Sequence, residues 1–569
     1  MKYPARGLII LLVFCFALPA LATQRNVKTG YGAVGDGVHD DTTNINNAIA
    51  AMVGGDELYF PCGTYLITSN LSWIQVSNTT VDGAVGCATI KASGALSSGY
   101  MWRIGSGSFN PGSHVGLASS ANELASSFTL TSNSLGFSTG DYVFIKEGET
   151  QYAQVNYNGD GMACDYGGCR ADMLHIASVS GSTITVDTAV HYLYDTTLPI
   201  SGCSTNSIPC DAPMVFKPGP MVSGVNFHDL TLDGSGDGCI TSCGTGIGLY
   251  VYGVVNSTIA TVTTKNVAMN GINAVYGYNN TFSNITMTHT AGAQQAAWLL
   301  ARQGHLTING GSLTQFNSTG STHGFQPFET TDATFSNVTV DHAAIPGGAL
   351  YGGRTVKYNS TSYTTNTGML IENNPVCANP PNVCGAAGGT EGPGYNGLSI
   401  ENFSSHNTFS NCTIINNGGD GVTGFNESSN FNTFNNCTMY GNGIYQFNVS
   451  SSDNNWTISG GTYGPSWADT DVIGFSCCGG VTTGNYVHEA TIKGPGSVGI
   501  GVVASSSGCI NSNTFTASTG LGAGINAATS AVIGSGNTMN GLSSNLTAGT
   551  CGGGGAGPAP PSGLTATVQ

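Results

Sequence analysis

Short runs of alternating apolar and polar residues recur along this chain, with no helical period between them. The clearest run reads Asn407-Thr-Phe-Ser-Asn-Cys-Thr413 and returns 25 residues later as Asn432-Thr-Phe-Asn-Asn-Cys-Thr438. Related runs begin at Asn280, Ala333 and Asn513. The alternation predicts a short strand with its phenylalanine inward and the next residue outward. A strand repeated with a period in the twenties predicts the stacked coils of a solenoid.

A second strand, opened by glycine, precedes most of these runs. An apolar residue directly follows the glycine at Gly246, Gly271, Gly324, Gly397, Gly421 and Gly443. Two or three short strands per coil predict an all-β fold, a parallel β-helix. Equivalent asparagines on successive coils would form hydrogen-bonded ladders. With the aromatic rings inward, Phe409 and Phe434 would stack inside the solenoid.

The chain opens with a leader rather than with a strand. Residues 1–22 hold two basic residues, an apolar run and a final Ala20-Leu-Ala22 segment. This order is typical of a secretory signal peptide cleaved after Ala22, and it predicts export. No later run is suited to span a bilayer. The β-helix would cover residues 23–550, and the Gly/Pro-rich residues 551–569 would be a linker that leads into a strand similar to the first strand of a fibronectin type III module.

Three features close or interrupt the repeat. The spacing of Ile45, Ile49 and Met52 predicts a short amphipathic helix that caps the open end of the first coil. Residues 126–222 break the period with longer β-patterns and predict a small β-rich insert. Residues 342–396 hold Gly, Pro and aromatic residues and predict a long loop, a favoured position for function on a rigid scaffold.

The segment after the leader resembles a known group of proteins. The matching residues are Asn26-Val27, Tyr31 to Gly37, Asp40-Asp41-Thr42, Phe60-Pro61 and Gly63-Thr64-Tyr65. They resemble the N-terminal signature of the pectate lyase-like β-helix superfamily, which includes polygalacturonase- and rhamnogalacturonase-type hydrolases and phage tailspikes. The resemblance implies a right-handed parallel β-helix, with the matching aspartates in structural roles. The polygalacturonase active-site motifs are missing, so no catalytic residue is carried over.

Composition limits the partners and the compartment. Charged residues make up 8% of the 569 residues, and without the leader 12 basic residues face 31 acidic ones, a formal charge of −19. Such an acidic surface disfavours nucleic acid and anionic membranes as partners. Sixteen cysteines remain after the leader, an even number typical of disulfides in an exported protein. Cys412 and Cys437 would lie one strand spacing apart, which suits either a disulfide or two stacked thiols.

Candidate site residues gather where the coils place equivalent residues in rows. Outward aromatic side chains suited to binding sugar rings are Tyr250, Phe328, Phe425 and Tyr445. Charged residues beside these strands are Arg302, Glu329, Glu401 and Glu427 after them, and His323 and Asp420 before them. We predict that Arg302 binds substrate with the aromatic residues and that the other five are catalytic. Plain surface apolar residues and solvated turn residues are the alternative interpretation.

Two of the glutamates suggest the chemistry. If the long loop returns to the next coil, Glu329 and Glu401 lie about 4.8 Å apart along the axis. Like charges at this separation raise the pKa of one carboxyl, which suits the acid of a glycoside hydrolase. Glu427, one coil further, would supply the partner carboxylate.

The leading hypothesis is therefore a secreted glycoside hydrolase that cleaves a polysaccharide. A polysaccharide lyase with calcium and a non-catalytic, glycan-binding adhesion protein are the alternatives. The hydrolase needs no cofactor. The segment Asp233-Gly-Ser-Gly-Asp237 mimics half of a calcium loop, but Gly244 stands where a ligating Glu belongs, which favours a plain turn. The sequence leaves the oligomeric state open.

Overall fold

The computed structural model is a stack of β-coils, with a single α-helix among the residues that it describes. Residues 1–21 of the predicted leader, Glu427 and residues 551–569 lie outside those residues. The structure describes residues 22–94, 96, 99–106, 113–146, 170–196, 213–235, 246–290, 296–314, 323–341, 356–372, 396–401, 403–425, 429–443, 445–450, 453–465, 472–477, 483–494, 498–502, 507–516, 523–527, 532–533, 536–540 and 543–544.

Sheet 1 is the larger wall of the solenoid and takes two short strands from most coils. All of its described pairings are parallel, as in Phe409 opposite Phe434. Its 27 described strands are Gln24–Asn26, Asp36–Asp40, Glu57–Phe60, Gly63–Ile67, Thr80–Gly83, Ala88–Ala92, Asn226–His228, Thr231–Asp233, Thr258–Ala260, Thr263–Val267, Thr281–Thr290, Thr307–Thr314, Thr334–Asp341, Thr365–Thr367, Leu370–Glu372, Thr408–Ser410, Thr413–Ile415, Thr433–Asn435, Thr438–Tyr440, Thr457–Ser459, Thr462–Tyr463, Thr483–His488, Thr491–Lys493, Ser507–Asn511, Thr514–Thr516, Val532–Ile533 and Thr538–Asn540.

Sheet 2 is the second wall, and most coils contribute one glycine-led strand to it. Its pairings are also parallel, so the sequence prediction of a parallel β-helix is confirmed. Its 15 described strands are Tyr100–Gly105, Val222–Ser223, Ile247–Tyr252, Val254–Val255, Asn270–Tyr278, Ala296–Gly304, His323–Phe328, Val356–Asn359, Leu398–Glu401, Val422–Phe425, Phe447–Ser450, Ile473–Cys477, Val498–Val502, Ala523–Ala527 and Ser543–Ser544.

Between sheet 2 and sheet 1, several described coils have a four-residue segment that we call the outer turn; at residues 302–305 it overlaps the end of the strand Ala296–Gly304. Residues 302–305, 329–332, 360–363 and 403–406 are outer turns, and the first and last residue of each has a left-handed backbone. A left-handed residue, such as Asn411 or Asn436, then follows the first of the two sheet 1 strands. Asparagine tolerates this conformation better than most residues, which explains its abundance in the repeat.

Stacked rings and asparagine ladders hold successive coils together. The rings of Phe409 and Phe434 are buried, with centroids 4.7 Å apart and planes 9° from parallel, as predicted. Asn432 accepts a hydrogen bond from the backbone N–H of Asn407 (3.0 Å) and donates one to the carbonyl of Ser404 (2.9 Å). Such ladders satisfy buried backbone groups at the turns.

Disulfides link consecutive coils at two described positions. Cys412 and Cys437 form one of them, with Cα atoms 4.6 Å apart, which decides between the two alternatives that the sequence leaves open. Cys62 and Cys87 form the other, at the same separation of 25 residues. The period of the repeat therefore brings both pairs together.

The helix Thr42–Ala50 covers the first coil, as predicted. Its Ile45 and Ile49 are buried against the core. Asp41 precedes the helix and is fully buried, where its carboxylate accepts hydrogen bonds from the backbone N–H groups of Val34 and Gly35. Its role is structural, as the resemblance implied.

The β-rich insert is a six-stranded antiparallel sheet made of His114–Gly116, Ser127–Thr129, Tyr142–Lys146, Ala171–Ser180, Thr183–Val186 and Met214–Phe216. It begins earlier than the predicted Ser126, because the strand at His114 pairs with the last strand of the insert. Phe144 and Met173 of the insert share an apolar cluster with Leu299 and Ala301 on the outward face of sheet 2. The insert therefore packs on the solenoid wall.

The prediction of one long loop over residues 342–396 is wrong in its middle part. Residues 356–372 form a further coil, with the strands Val356–Asn359, Thr365–Thr367 and Leu370–Glu372. Asn366 stands between Phe335 and Phe409 in the inward row, where the repeat has phenylalanine. Its buried side chain accepts a hydrogen bond from the hydroxyl of Tyr358. The missing phenylalanine hides this coil in the sequence.

A buried acid in the core should make stability depend on pH. Burial raises the pKa of Asp453 well above its ordinary value; a hydrogen bond from the Ser429 N–H opposes this, and the Glu401 carboxylate adds to it. The folded chain then keeps a proton that the unfolded chain loses once the pH exceeds about 4, so this residue favours folding less as the pH rises. Asp453→Asn is expected to raise the melting temperature at neutral pH and to leave it nearly unchanged at about pH 3.

Thermal unfolding of both chains across this pH range checks the expectation. Asp420→Asn is the matched control, since the Asp420 carboxylate accepts hydrogen bonds from the Tyr445 N–H and from Asn448 and should lose stability when changed. A melting temperature of Asp453→Asn that stays below that of the native chain at neutral pH would contradict a neutral Asp453.

Candidate functional site

The outward face of sheet 2 changes character along the solenoid. Under the insert it presents apolar residues such as Leu299 and Ala301. Beyond the insert the equivalent positions hold Lys357, Ser399 and Glu401. We call the second region the polar strip. Its side chains are nearly all buried, although they lie on the outward face of the wall.

The Glu401 carboxylate of the polar strip has both a cation and a hydroxyl donor beside it. The Lys357 Nζ lies 3.1 Å from its Oε2, and the Ser399 hydroxyl donates a hydrogen bond to its Oε1 at 2.6 Å. The residue is 1% exposed. Such charge-assisted contacts hold a buried carboxylate in a fixed orientation. Its burial keeps it out of contact with a substrate in this conformation.

Glu329 belongs to a second buried network, where the insert meets the solenoid. Its Oε2 accepts a hydrogen bond from the Arg302 Nε at 2.8 Å, and the Lys146 Nζ lies 3.6 Å from its Oε1. Arg302 also donates to the hydroxyl of Tyr276 (2.6 Å). Tyr276, Arg302 and Glu329 start successive outer turns, so their side chains lie side by side, and Lys146 comes from the insert. This network joins the insert to three coils.

The expected closeness of Glu329 and Glu401 is not found. Phe328, the residue before Glu329, pairs with Asn359, and Asn359 pairs with Glu401. The coil that contains Asn359 therefore separates the two glutamates, which lie two coils apart. The expectation is wrong because residues 356–372 form a coil between the two glutamates instead of a loop.

The other predicted residues are not gathered in one open row. Asp420 and His323 are buried, the latter as the first residue of its strand. Tyr250 packs among Tyr100, Tyr252 and the Arg103 guanidinium, and Phe328 packs against the insert. Phe425 pairs with Glu401 in sheet 2, Tyr445 is half-buried just before its strand, and Glu427 lies outside the described residues. Their catalytic and binding roles stay predictions.

A cleft accessible to solvent lies between the insert and the outer turns. We call it the turn cleft; its cavity has a volume of about 190 Å³. The insert and the segments beside it supply part of the lining, and the outer turns supply the rest. The lining residues are Glu123, Arg170, His191, Tyr192, Leu193, Ser362, Phe403, Ser405, His406, Asn430 and Phe431.

Three rings stack along the axis at the mouth of the turn cleft. Tyr363 and His406 have centroids 4.6 Å apart, and His406 and Phe431 have centroids 4.8 Å apart, with nearly parallel planes in both pairs. All three residues have a left-handed backbone, a rare conformation for bulky side chains. The equivalent residues of the neighbouring outer turns, His305 and Asp332, have the same backbone, so it belongs to the repeat. Phe431 is also one of the few exposed large apolar residues in the described part of the chain.

Glu123 is the accessible carboxylate of the turn cleft. It accepts a hydrogen bond from the hydroxyl of Tyr363, and its Oε1 lies 3.2 Å from the Nε2 of His406. The hydrogen bond with His406 lowers the pKa of Glu123, and partial burial opposes this without cancelling it. The group is therefore an anion at neutral pH.

His191 supplies the opposite charge. Its Nδ1 lies 2.7 Å from one oxygen of Asp172, and its backbone N–H donates to the other oxygen at 2.9 Å. Burial lowers the pKa of His191, but the attraction of the Asp172 carboxylate outweighs it and the pKa is raised. The turn cleft thus holds an ionised carboxylate together with an imidazole that tends to keep its proton. A base and an acid of this kind are the two groups that general acid–base catalysis requires.

These residues of the turn cleft were not predicted from the sequence, although one pattern in it points to them. The residue two positions before the first sheet 1 strand is asparagine in several coils, as at Asn256, Asn279 and Asn455. In the coils between them it is His305, Asp332, Tyr363, His406 and Phe431. This replacement of asparagine along one row could have marked the outer turns that line the turn cleft. No pattern in the sequence shows that Glu123 and His191 come to lie against these turns.

A metal ion has one candidate position among the described residues. Asp82, His228 and Asp229 have ligand atoms within 4.8 Å of one another on sheet 1. The His228 Nδ1 already lies 3.1 Å from Asp82 and 2.8 Å from Asp229. Asp233, from the half calcium loop, accepts hydrogen bonds from Ser235 and Asn266. These carboxylates are engaged by protein groups.

A family model named Rhamnogalacturonase A/epimerase, pectate lyase-like matches residues 24–102. This segment contains the capping helix and the first coils, and parallel coils follow it through the described chain. The chain is a parallel β-helix protein whose N-terminal part, residues 24–102, is similar to this pectate lyase-like family. The residues of the N-terminal signature are thus correctly assigned to the cap and the first coil.

Other comparisons cover shorter or more distant matches. The plasmin and fibronectin-binding protein A of Streptococcus pneumoniae is 58% identical over 48 residues, which are 8% of this chain and 6% of that protein. The tailspike protein of Pseudomonas phage LKA1 is 13% identical over 93% of this chain and 83% of that chain, with a TM-score of 0.49. The mannuronan C-5 epimerase A-module of Azotobacter vinelandii is 13% identical over 92% and 99%, with a TM-score of 0.45.

Among the described residues, no helix has the length and apolar character needed to cross a membrane.

Proposed function

We propose that this protein is an exported enzyme that cleaves a polysaccharide at the turn cleft, as a glycoside hydrolase. The observation that carries the proposal is that an anionic Glu123 and the largely buried His191 line the same cleft. The exposed ring of Phe431 beside them offers an apolar face for a sugar. The name of the matching family model, which refers to a rhamnogalacturonase and an epimerase, supports a carbohydrate substrate.

Each group has a role in this proposal. His191, kept protonated by Asp172, donates a proton to the oxygen of the leaving sugar. Glu123 acts as the base that activates water or as the anion that stabilises positive charge at the sugar carbon. The hydrogen bonds from Tyr363 and His406 hold the carboxylate in its orientation. Since Glu123 must be ionised and His191 protonated, the rate should be highest between their two pKa values.

A lyase is the second candidate, and Arg170 favours it. This guanidinium lines the same cleft, with its carbon atom 4.7 Å from the centre of the Phe403 ring. Arginine binds carboxylates well, so it could hold the uronate group that a lyase needs. The proton beside that group would then be removed by a basic residue of the cleft.

A screen of the purified protein separates these functions. Polygalacturonate, rhamnogalacturonan, alginate, xylan and laminarin are incubated with the protein, and new reducing ends and the ultraviolet absorbance of unsaturated uronates are measured. Reducing ends without absorbance indicate a hydrolase, and both together indicate a lyase. Binding without either product would leave the non-catalytic adhesion protein and overturn the enzyme.

Glu123→Gln tests the site. We expect its turnover to fall at least about a hundredfold, with little change in melting temperature, because Glu123 is partly exposed. Glu489→Gln, whose side chain is 70% exposed, is the matched control and should behave like the native protein. Glu401→Gln addresses the polar strip. If Glu401→Gln loses activity without losing stability while Glu123→Gln stays active, the reaction takes place at the strip and the turn cleft is not the site.

A further inference from the structure

We propose that the cavity at the base of the insert is a second carbohydrate subsite, which holds the same polysaccharide chain as the turn cleft. This inference rests on the proposed function and extends it to long substrates. The cavity has a volume of about 530 Å³, within the range of ligand-binding sites. Its lining residues are Gly140, Asp141, Tyr142, Lys217, Pro218, Gly219, Pro220, Met221, Ser223 and Val255.

The lining of this cavity suits a sugar. Lys217 Nζ lies 2.7 Å from a carboxylate oxygen of Asp141, and both side chains are about one-third exposed, so each keeps access to solvent and to sugar hydroxyls. The Tyr142 hydroxyl accepts a hydrogen bond from Asn256 at 3.1 Å, which fixes the ring at the wall. Apolar walls with a few fixed polar groups are typical of small-molecule sites.

A row of side chains leads from this cavity towards the turn cleft, with rings at both ends and the Asp332 carboxylate between them. The ring of Tyr142 lies 5.5 Å from that of Tyr278, and Tyr278 stacks on His305 at 6.0 Å. His305 lies 2.7 Å from the carboxylate of Asp332 and is 42% exposed. Tyr363, which starts the ring stack of the turn cleft, occupies the coil after that of Asp332. We call this row the ring track.

The ring track runs parallel to the axis of the solenoid. Five coil steps separate Asn256, beside the cavity, from His406, in the turn cleft, through Asn279, His305, Asp332 and Tyr363. At about 4.8 Å per step, the two sites lie about 24 Å apart. A long polysaccharide chain can contact both sites, and a short oligosaccharide in the cleft cannot. The structure thus favours a polymeric substrate over its short fragments.

Length-dependent kinetics test the second subsite. Pro220→Trp places a large ring at the mouth of the cavity from an exposed position, and Lys217→Ala removes its cation. With the polysaccharide that the screen identifies, both variants should raise KM at least about tenfold, equivalent to about 1.4 kcal/mol. With short oligosaccharides of the same polysaccharide, KM and kcat should stay unchanged. Val85→Trp, at a residue 77% exposed on the first coils, is the matched control.

The outcomes distinguish this inference from the proposed function. An unchanged KM for the polymer in both variants, or an equal loss on polymer and short fragments, would overturn the subsite while the cleft stays active. Absence of cleavage of every glycan would overturn the enzyme instead. In that case, affinity electrophoresis of the same variants through gels that contain the five polysaccharides tests the cavity. Equal mobility of variants and native protein in each gel would overturn the subsite there too.

Discussion

Replacing Glu329 by glutamine is expected to lower the free energy of unfolding by about 3–5 kcal/mol. The change leaves Arg302 and Lys146 buried without the carboxylate between them. A buried charge that loses its partner is costly, because water cannot replace the lost interaction. Chemical denaturation followed by circular dichroism measures the loss. Because Lys146 lies in the insert, the insert should become sensitive to protease at lower denaturant concentrations than the coils.

The same variant separates a structural role of Glu329 from the catalytic role that its position in the sequence suggests. Glu489→Gln, on the surface, should change stability by less than about 0.5 kcal/mol. Glu329→Gln could instead keep the unfolding free energy of the native chain and lose turnover on the identified glycan. In that case Glu329 is not needed for the stability of the buried network. The catalytic prediction would then stand.

Phe434→Ala is expected to cost about 3–5 kcal/mol of stability. The ring of Phe434 is fully buried between those of Phe409 at 4.7 Å and Trp456 at 6.0 Å, and Phe447 approaches it edge-on at 4.8 Å. Its removal leaves a cavity that neighbouring coils cannot fill without losing their register. Equilibrium unfolding in guanidinium chloride measures the loss.

Two further variants show whether burial is the cause. Phe434→Leu keeps most of the volume and should cost less than Phe434→Ala. Tyr440→Ala removes a ring of the same coil that is 43% exposed and should cost less than about 0.5 kcal/mol. A loss below about 1 kcal/mol for Phe434→Ala would mean that the inward register is not the one described.

The solenoid could be predicted because its signals are local. Each inward Phe, turn asparagine and leading glycine acts within one coil and on its neighbour, so the period in the sequence is the period in space. The coil at residues 356–372 was not predicted because its local signal is missing. Asn366 replaces the inward phenylalanine and finds its partner in Tyr358, a compensation that no repeat pattern reveals.

The candidate site depends on contacts that are distant in the sequence. The hydrogen bond between Tyr363 and Glu123 joins residues 240 positions apart, and the one between Tyr192 and Ser360 joins residues 168 apart. Both form because the insert folds back over sheet 2, a packing that depends on the shape of two surfaces. Glu329 and Glu401 were predicted to be catalytic because charged residues make up only 8% of this chain. In such a chain, glutamates also form buried ion pairs, as these two do.

The two described disulfides between coils have a consequence for how the molecule loses its structure. In a linear array each coil is stabilised by its two neighbours. Unfolding should therefore begin at the termini and proceed inward, one coil at a time. Cys62–Cys87 closes the first coils, and Cys412–Cys437 links two coils in the second half of the array. Under oxidising conditions each bond should stop this spread, since the linked coils cannot separate one at a time. In a reducing compartment the array would fray freely, so its durability depends on the redox state of its surroundings.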